Sequence, residues 1–407
     1  VRSSALKRGM LIAEDSKWVK FKGKKGGKNI QGRLRLKGWL GDHWERGDGL
    51  LSYKIKLQSD QTILGMKNFA IQHPRTRGYM DEWYFQKLVK NTGLISSRNY
   101  YLPIILNGKK YPTYHIEENF EKRLIENNER REGPIFKLFE REYVNEERMA
   151  SRKSVISFYQ KDKWSSTDRG NLLLRRAERL MKGFLSGEYK PEEVFDVELF
   201  ARAWALADLV GHHHSIKWGN LRYYLNPVSG LIEPIVFDNT LIFENNKKGL
   251  LGEQIRHGND SKMLGVESSN FNPNIMKVTS QTIDPMLFSE KFRKAYINAL
   301  IKYSKKNWLD DFFLSIKNDE ENTLRSLYKS YPWYKFNKDK LYTNQKYIQS
   351  KINPSSVIQS FILNNERGKK ILKVKNNHSL PIELVGIKIK GDNKIFKFKE
   401  IYSIPNK

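Results

Sequence analysis

The sequence predicts a mixed α+β protein: a β-rich N-terminal lobe, then a helical lobe, then a small β-rich tail. Three observations predict it. Residues 18–69 alternate apolar and polar side chains at the strand period. From about 165 the apolar spacing becomes helical, and over 371–407 alternation returns. The lobes therefore meet near 140–165. The expected divisions are an N-terminal extension over 1–29, a main domain over 30–345 (lobes about 30–150 and 151–345), and a β-rich domain over 354–407.

Each element has its own reason. "WVKFKGKKGGKNIQGRLRLKG" reads as a hairpin about a Lys/Gly turn. "LLSYKIKL" puts Leu51, Tyr53, Ile55 and Leu57 on one face and Ser52, Lys54 and Lys56 on the other. "GMKNFAIQ" is a further short strand, and the glycine-rich "KGWLGDHWERGDG" lies between strands. Residues 78–93 read as a helix closed by Gly93. On it Glu82 leans toward the apolar face of Phe85 and Val89, where a carboxylate needs a cationic partner. "RNYYLPIILNGKKYPTYHIEENF" is a hairpin about Asn107-Gly108, and "GPIFKLFE" is one more strand. Helices follow over "STDRGNLLLRRAERLMKGFL" and "FDVELFARAWALADLVG", the second capped by Asp196. Residues 245–284 read as a long polar loop, and helices resume from Ser289 to about Lys329.

Composition narrows the chemistry. The 407 residues are 39% hydrophobic and 12% aromatic, which is globular. Cysteine is absent, which excludes disulfides, thiolate metal sites and cysteine nucleophiles. The formal net charge of +28 favours anionic partners: nucleotides, acidic proteins, acidic lipid or nucleic acid. The charge is spread along the chain, so nucleic acid is not the favoured partner. No apolar run is long enough for a transmembrane helix. The start at Val1 predicts a fragment of a longer protein whose signal or anchor could lie upstream. The compartment stays open between bacterial cytoplasm and cell envelope.

The segment "GHHHSIKWGNLRYYLNPVSGLIEPIVFDN" carries the densest chemistry. Three consecutive histidines, His212 to His214, point in different directions and cannot alone surround a zinc ion. Asn220 and Asp238 bracket a predicted β-hairpin turning at Asn226-Pro227. A carboxamide and a carboxylate so placed suit a hard cation, which takes oxygen ligands and phosphates. The plain alternative is an aspartate capping a strand end.

In order, "RLRLKGWLGDHW", "LLSYKIKL", "LGMKNFAIQHPRTRGYMDEW", "ILNGKKYPTYHIEENF", "REGPIFKL" and "NLRYYLNPVSGLIEPIVFDN" resemble the CotH kinase family, the atypical kinases named for a bacterial spore-coat protein. The resemblance covers about 30–245. It implies an atypical protein-kinase-like fold, ATP with Mg²⁺ or Mn²⁺, and transfer of the γ-phosphate to protein side chains. It implies that Lys37 and Gly38 sit in a phosphate-covering loop and that Lys54 or Lys56 contacts phosphate. Glu82 would orient that lysine, Glu117 or Glu118 would meet ribose, and Asn220 and Asp238 would hold the metal. Lys137 matches a recurring lysine whose role it leaves open. The chain departs from the pattern at Ser215, where an aspartate base is expected; His214 is the substitute and Asp208 a weaker one. That departure keeps alternatives open: an inactive nucleotide-binding or structural protein, or a nucleotidyl transferase on the same fold.

Overall fold

In the computed structural model of the chain the described residues are 1–9, 11–38, 41–44, 49–138, 140–142, 151–153, 156–216, 220–239, 286, 289–353, 357–364, 370–378, 382–388, 391 and 394–404. The architecture is mixed α+β, as the patterning predicts. Strands β1 (Val19–Lys25), β2 (Lys28–Leu36), β3 (Tyr53–Leu57), β4 (Asn68–Gln72), β5 (Asn99–Leu106) and β6 (Lys109–Glu118) form one antiparallel sheet in the order β1-β2-β3-β4-β6-β5. The sheet thus begins inside the segment expected to be an extension: Val19 pairs with Leu34.

The turn residues fix the register. Asn107 and Gly108 both have positive φ (49° and 77°), the two-residue hairpin turn that their sequence specifies. With that register set, Phe69, Ile71, Tyr114 and Ile116 share one face with Leu57 and make its core, with Ile55 and Tyr53 packed alongside. The opposite face carries Lys54, Ala70, Gln72, His115 and Glu117.

Helix α1 (Arg2–Arg8) precedes the sheet. Helix α2 (Asp81–Asn91) is shorter than the expected 78–93. Pro74 opens a 3₁₀ turn over Pro74–Arg77, and Gly78 closes it in the left-handed region (φ 57°). The α-helix can start only after that break; Gly93 (φ 78°) lies just past its end, as expected.

Short helix α3 (Lys122–Asn127) follows β6. A second sheet then forms from β7 (Ile135–Lys137), β10 (Ser157–Phe158), β11 (Arg222–Leu225) and β12 (Ile232–Ile235), in the order β10-β7-β11-β12. A small pair, β8 (Glu140–Glu142) with β9 (Ser151–Lys153), lies between its first two strands in sequence. Helices α4 (Lys161–Ser165), α5 (Asp168–Ser186), α6 (Pro191–Val194) and α7 (Val197–Val210) come next. Asp196 caps α7 by accepting from the Leu199 N–H, as its position predicts. Helix α7 is apolar nearly all round, and the main core closes on it from α2, α5, α8 (Glu290–Tyr303), α9 (Lys306–Tyr328) and α10 (Asp339–Ile352). Helix α10 lies beyond the expected helical stretch; Leu341 and Ile348 anchor its polar sequence in the core, with Tyr342 and Ile352 packed alongside. The expected loop over 245–284 lies outside the described residues. The tail forms two hairpins, β13 (Ile358–Asn364) with β14 (Lys370–Asn376) and β15 (Ile382–Lys388) with β16 (Ile395–Ile404).

Candidate functional site

Strand pairing places the charged side chains in rows. Arg35 stands opposite Lys54, Lys54 opposite Ala70, Ala70 opposite Glu117, and Glu117 opposite Asn99. Residues one step apart on a face are separated by about 7 Å. One step toward the end of β2 lie Lys37, Gln72 and His115; one step the other way lie Lys56 and Asn68. Ala70, itself buried, separates the basic and acidic members of the row.

The Gln72–Glu117 part of this face is buried. Gln72 and His115 have no exposed area and Glu117 has 5%. Burying so much charge is tolerable only if every group is paired. Glu117 is the hub. Its carboxylate accepts from Lys37 Nζ at 2.6 Å, from Gln72 Nε2 at 2.8 Å and from Arg77 at 3.3–3.4 Å. Gln72 also accepts from Lys37, at 2.7 Å. Arg77 reaches on to Asp238 Oδ1 at 2.6 Å. The chain Lys37–Glu117–Arg77–Asp238 ties the first sheet to the segment just past β12.

Burial alone would raise the Glu117 pKa, but Arg77 and Lys37 together hold it well below the usual carboxylate range. Lys37 is lowered, because burial and the Arg77 charge outweigh its pairing with a carboxylate that Arg77 shares. For Arg77, burial is overcome by Asp238, Glu117 and Glu82, and its guanidinium stays charged. His115 is pushed down to about 3 by burial, and the charges of Arg77 and Lys37 add to this; it is a neutral member of the network. It bonds Asn99 Oδ1 at 2.7 Å.

Asp238 has a left-handed backbone (φ 61°), unusual for a residue with a side chain. Glu82 holds it there. Its Oε1 accepts from the Asp238 N–H at 3.1 Å and its Oε2 from the Asn239 N–H at 2.7 Å. Gln86, one turn on, donates to Glu82 and to the Val236 carbonyl. Two backbone amides and the Gln86 amide hydrogen-bond Glu82; the cationic charge beside it is that of Arg77, and no lysine bonds it among the described residues. Burial, with the nearby Glu117 charge, pushes Glu82 up to about 8.

Lys54 is partly buried and has no carboxylate within ion-pair distance among the described residues. Its pKa falls to about 7 through burial and the like charges of Arg35, Lys37 and Arg222. Lys56, the other candidate, is exposed and lies one row further from Asp238. Between the two, Lys54 is the more buried and stands in the Glu117 row.

The loop after β2 is built on one contact. At Gly38 (φ 96°) a Cβ would fall 2.2 Å from the His43 ring, so only glycine fits. His43 Nδ1 bonds Ser52 Oγ at 3.0 Å, and Ser52 also joins the backbones of Lys37 and His43. Asp42, beside it, keeps a half-exposed carboxylate (55%).

On the other side of Asp238, His214 Nε2 stands 3.9 Å from Asp238 Oδ2. His212 exchanges hydrogen bonds with Asn239 (2.7 and 3.2 Å) and stacks on His214. His213 bonds Asp208 Oδ1 at 2.7 Å, and Tyr296 donates to the other Asp208 oxygen. Asp208 is thereby fixed in the core as a structural acceptor. Ser215 is fully buried, and its Oγ has no hydrogen-bond partner among the described residues. Asn220 donates to the His214 carbonyl at 3.2 Å. Glu118 points to the other face of the sheet and pairs with Arg98, so it does not front this site. Lys137 lies on β7 of the second sheet.

Asp238 ends this network with a carboxylate, the Glu82 carboxylate lies against its backbone, and the Asn220 carboxamide is tied to the His214 carbonyl; no group of three or more His, Asp or Glu able to hold a metal occurs among the described residues. A carboxylate and a carboxamide are ligand types that suit Mg²⁺, which takes one or two protein groups and completes its shell with phosphate and water. Arg77, Gln72, His43 and Asn239 were not singled out from sequence. Arg77 lies 161 residues from its partner Asp238, and no local pattern connects them.

Beyond the Lys56–Asn68 row, between the sheet and α3 and α4, lies a cleft of about 720 Å³ lined by Lys56, Lys67, Asn68, Glu121, Arg123 and Lys163 among others. Comparison with family models and with curated proteins finds no match to this chain.

Proposed function

We propose that the chain is a two-lobed, kinase-like phosphotransferase of the CotH type, moving the γ-phosphate of ATP to a protein hydroxyl. What supports this is the meeting of three groups from distant parts of the sequence: Lys54, without an ion-pair partner among the described residues, the Lys37–Glu117–Arg77 network, and Asp238 in its Glu82 clasp. In this reading Lys54 and Lys37 offer positive charge to the phosphates, and Gly38 lets the loop backbone approach them. Asp238 and Asn220 would hold Mg²⁺ or Mn²⁺, which supplies charge neutralisation to the phosphates. The hydroxyl oxygen attacks the γ-phosphorus, the bond to the β–γ bridging oxygen breaks, and ADP leaves. His214 takes the hydroxyl proton, since Ser215 has no basic group to do so.

Two observations favour a second reading. Asp238 Oδ1 is already engaged by Arg77, and the base position holds a buried serine. A protein that binds nucleotide with little turnover has these features too. The test is incubation with Mg²⁺ or Mn²⁺ and either α- or γ-labelled ATP, with a generic protein acceptor. Label from γ-ATP alone, lost in Asp238→Ala and Lys54→Met, supports the kinase; loss in His214→Ala assigns the base. Label from α-ATP means nucleotidyl transfer. Binding without label means the second reading.

A further inference from the structure

The lysines of the first hairpin have no place in the site described above. From Lys17 to Lys37 the chain holds seven lysines, two arginines and no aspartate or glutamate. Strand pairing decides where they point. Phe21 packs on the apolar cluster of the sheet, so Lys20, Lys22 and Lys24 of β1 project from the opposite face. All three are exposed, and neither they nor Arg33 have an ion-pair partner among the described residues. Arg33 stands opposite Lys20 on one side and Lys56 on the other, and like charges set across neighbouring strands repel. β1 is also an edge strand. The sheet order ends at it, and among the described residues its outer backbone groups bond no further strand.

We propose that the outer edge of β1 docks an extended segment of a partner protein with acidic side chains at alternate positions. Such a segment pairs its backbone with the open edge as one more strand of the sheet. It sets its carboxylates beside Lys20, Lys22 and Lys24, which repeat every second residue at about 7 Å. Its other side chains fall on the opposite face beside Val19, which is 55% exposed, so an apolar residue fits there. A second copy of this chain is a poor occupant, because two β1 edges set lysine against lysine. A nucleic acid is poor as well. It has no row of amides to match the open edge, and the one aromatic ring on this face of the hairpin, Trp18, lies under Arg35 rather than open to a base. Lysines on an edge also guard against aggregation, a role that predicts no preference for an alternating sequence. The inference stands apart from the phosphotransferase reading, since none of these lysines belongs to the Lys37–Glu117–Arg77–Asp238 chain.

Fluorescence anisotropy on the whole chain tests it, at about 0.15 M salt, where loose charge attraction is screened. The probe is a labelled peptide of alternating Glu and Val. Beside it are run a permuted peptide with the same residues in two blocks, a form N-methylated at alternate residues, and a single-stranded oligonucleotide of equal charge. The alternating peptide is expected to bind about tenfold more tightly than the permuted and N-methylated ones, through three cross-strand charge pairs and the hydrogen bonds of a strand. Lys22→Gln with Lys24→Gln should weaken it about fivefold or more. Lys25→Gln with Lys28→Gln removes the same charge at the turn and should leave it within about twofold. All four side chains are exposed, and matching thermal melts of the two double variants show that the fold is intact. Equal binding of the alternating, permuted and N-methylated peptides overturns the inference, and so does an equal loss in both double variants; either outcome leaves general charge attraction only. Tighter binding of the oligonucleotide than of the alternating peptide overturns it in favour of nucleic acid. No binding of the alternating peptide overturns it too and leaves the lysines as a guard on the edge.

Discussion

The two faces of the six-stranded sheet are both covered, by opposite means. On one, Leu57, Phe69, Ile71, Tyr114 and Ile116 pack as a hydrophobic cluster, stabilised by area removed from water. On the other, Gln72, His115, Glu117 and Arg77 are as deeply buried, and hydrogen bonds offset their desolvation. A buried ionic cluster is a weak source of stability, since apolar residues of similar volume often do as well. The comparison teaches that the first face holds the sheet together, while the second has to satisfy its own charges before it adds any stability.

That division can be broken from either side. The largest loss is expected from Arg77→Met, which strands the carboxylates of Glu117 and Asp238. Urea denaturation should give a loss of about 3–5 kcal/mol, and ATP binding should fail as well. Phe69→Ala should cost about 3–4 kcal/mol by opening a cavity on the apolar face, yet leave the affinity of the remaining folded protein for ATP within about twofold. If Phe69→Ala instead weakens ATP binding as much as Arg77→Met does, the two faces are not separable.

Lys54→Met should go the opposite way in stability. It removes an unpaired, partly buried cation, so the variant should be more stable by about 1–2 kcal/mol near pH 6 and should lose ATP binding. The sign follows from its pKa, lowered to about 7 in the folded chain. Between that value and the ordinary lysine value the unfolded chain holds the extra proton, so stability rises with pH across this window. The Lys54 penalty is fully present below about pH 7 and fades above it, so the advantage of Lys54→Met should shrink as pH rises. ATP affinity of the wild type should fall several-fold from pH 6.5 to 8.5 as Lys54 loses its charge, and a flat profile would remove Lys54 from the phosphate site. The smallest effect belongs to the surface pair Lys87–Asp319, where Lys87→Ala should change stability by no more than about 0.5 kcal/mol.

Local structure was legible where one residue has one physical use. Asn107-Gly108 needs two positive φ values, Asp196 caps the helix it precedes, and alternation over 51–57 sorts Leu57 from Lys54. The site was legible in part. Asp238 meets Arg77 and the Glu82 clasp and Lys54 lies on the same charged face, whereas no lysine bonds Glu82 among the described residues and Glu118 faces away. Strand periodicity says which side chains share a face. It does not say whether water or protein covers that face, and the plain expectation for Lys54 was solvent.

By itself the sequence determined the mixed α+β class, the hairpin registers and the two faces of the sheet, because these depend on backbone geometry and spacing within a few residues. Only the tertiary structure decided that the charged face turns inward and that Arg77 and Glu82 meet Asp238 across more than 150 residues of chain. It also left Glu121 with an unpaired oxygen. Those outcomes depend on which groups remain to satisfy one another once water has been excluded, and that is a property of the packed chain as a whole.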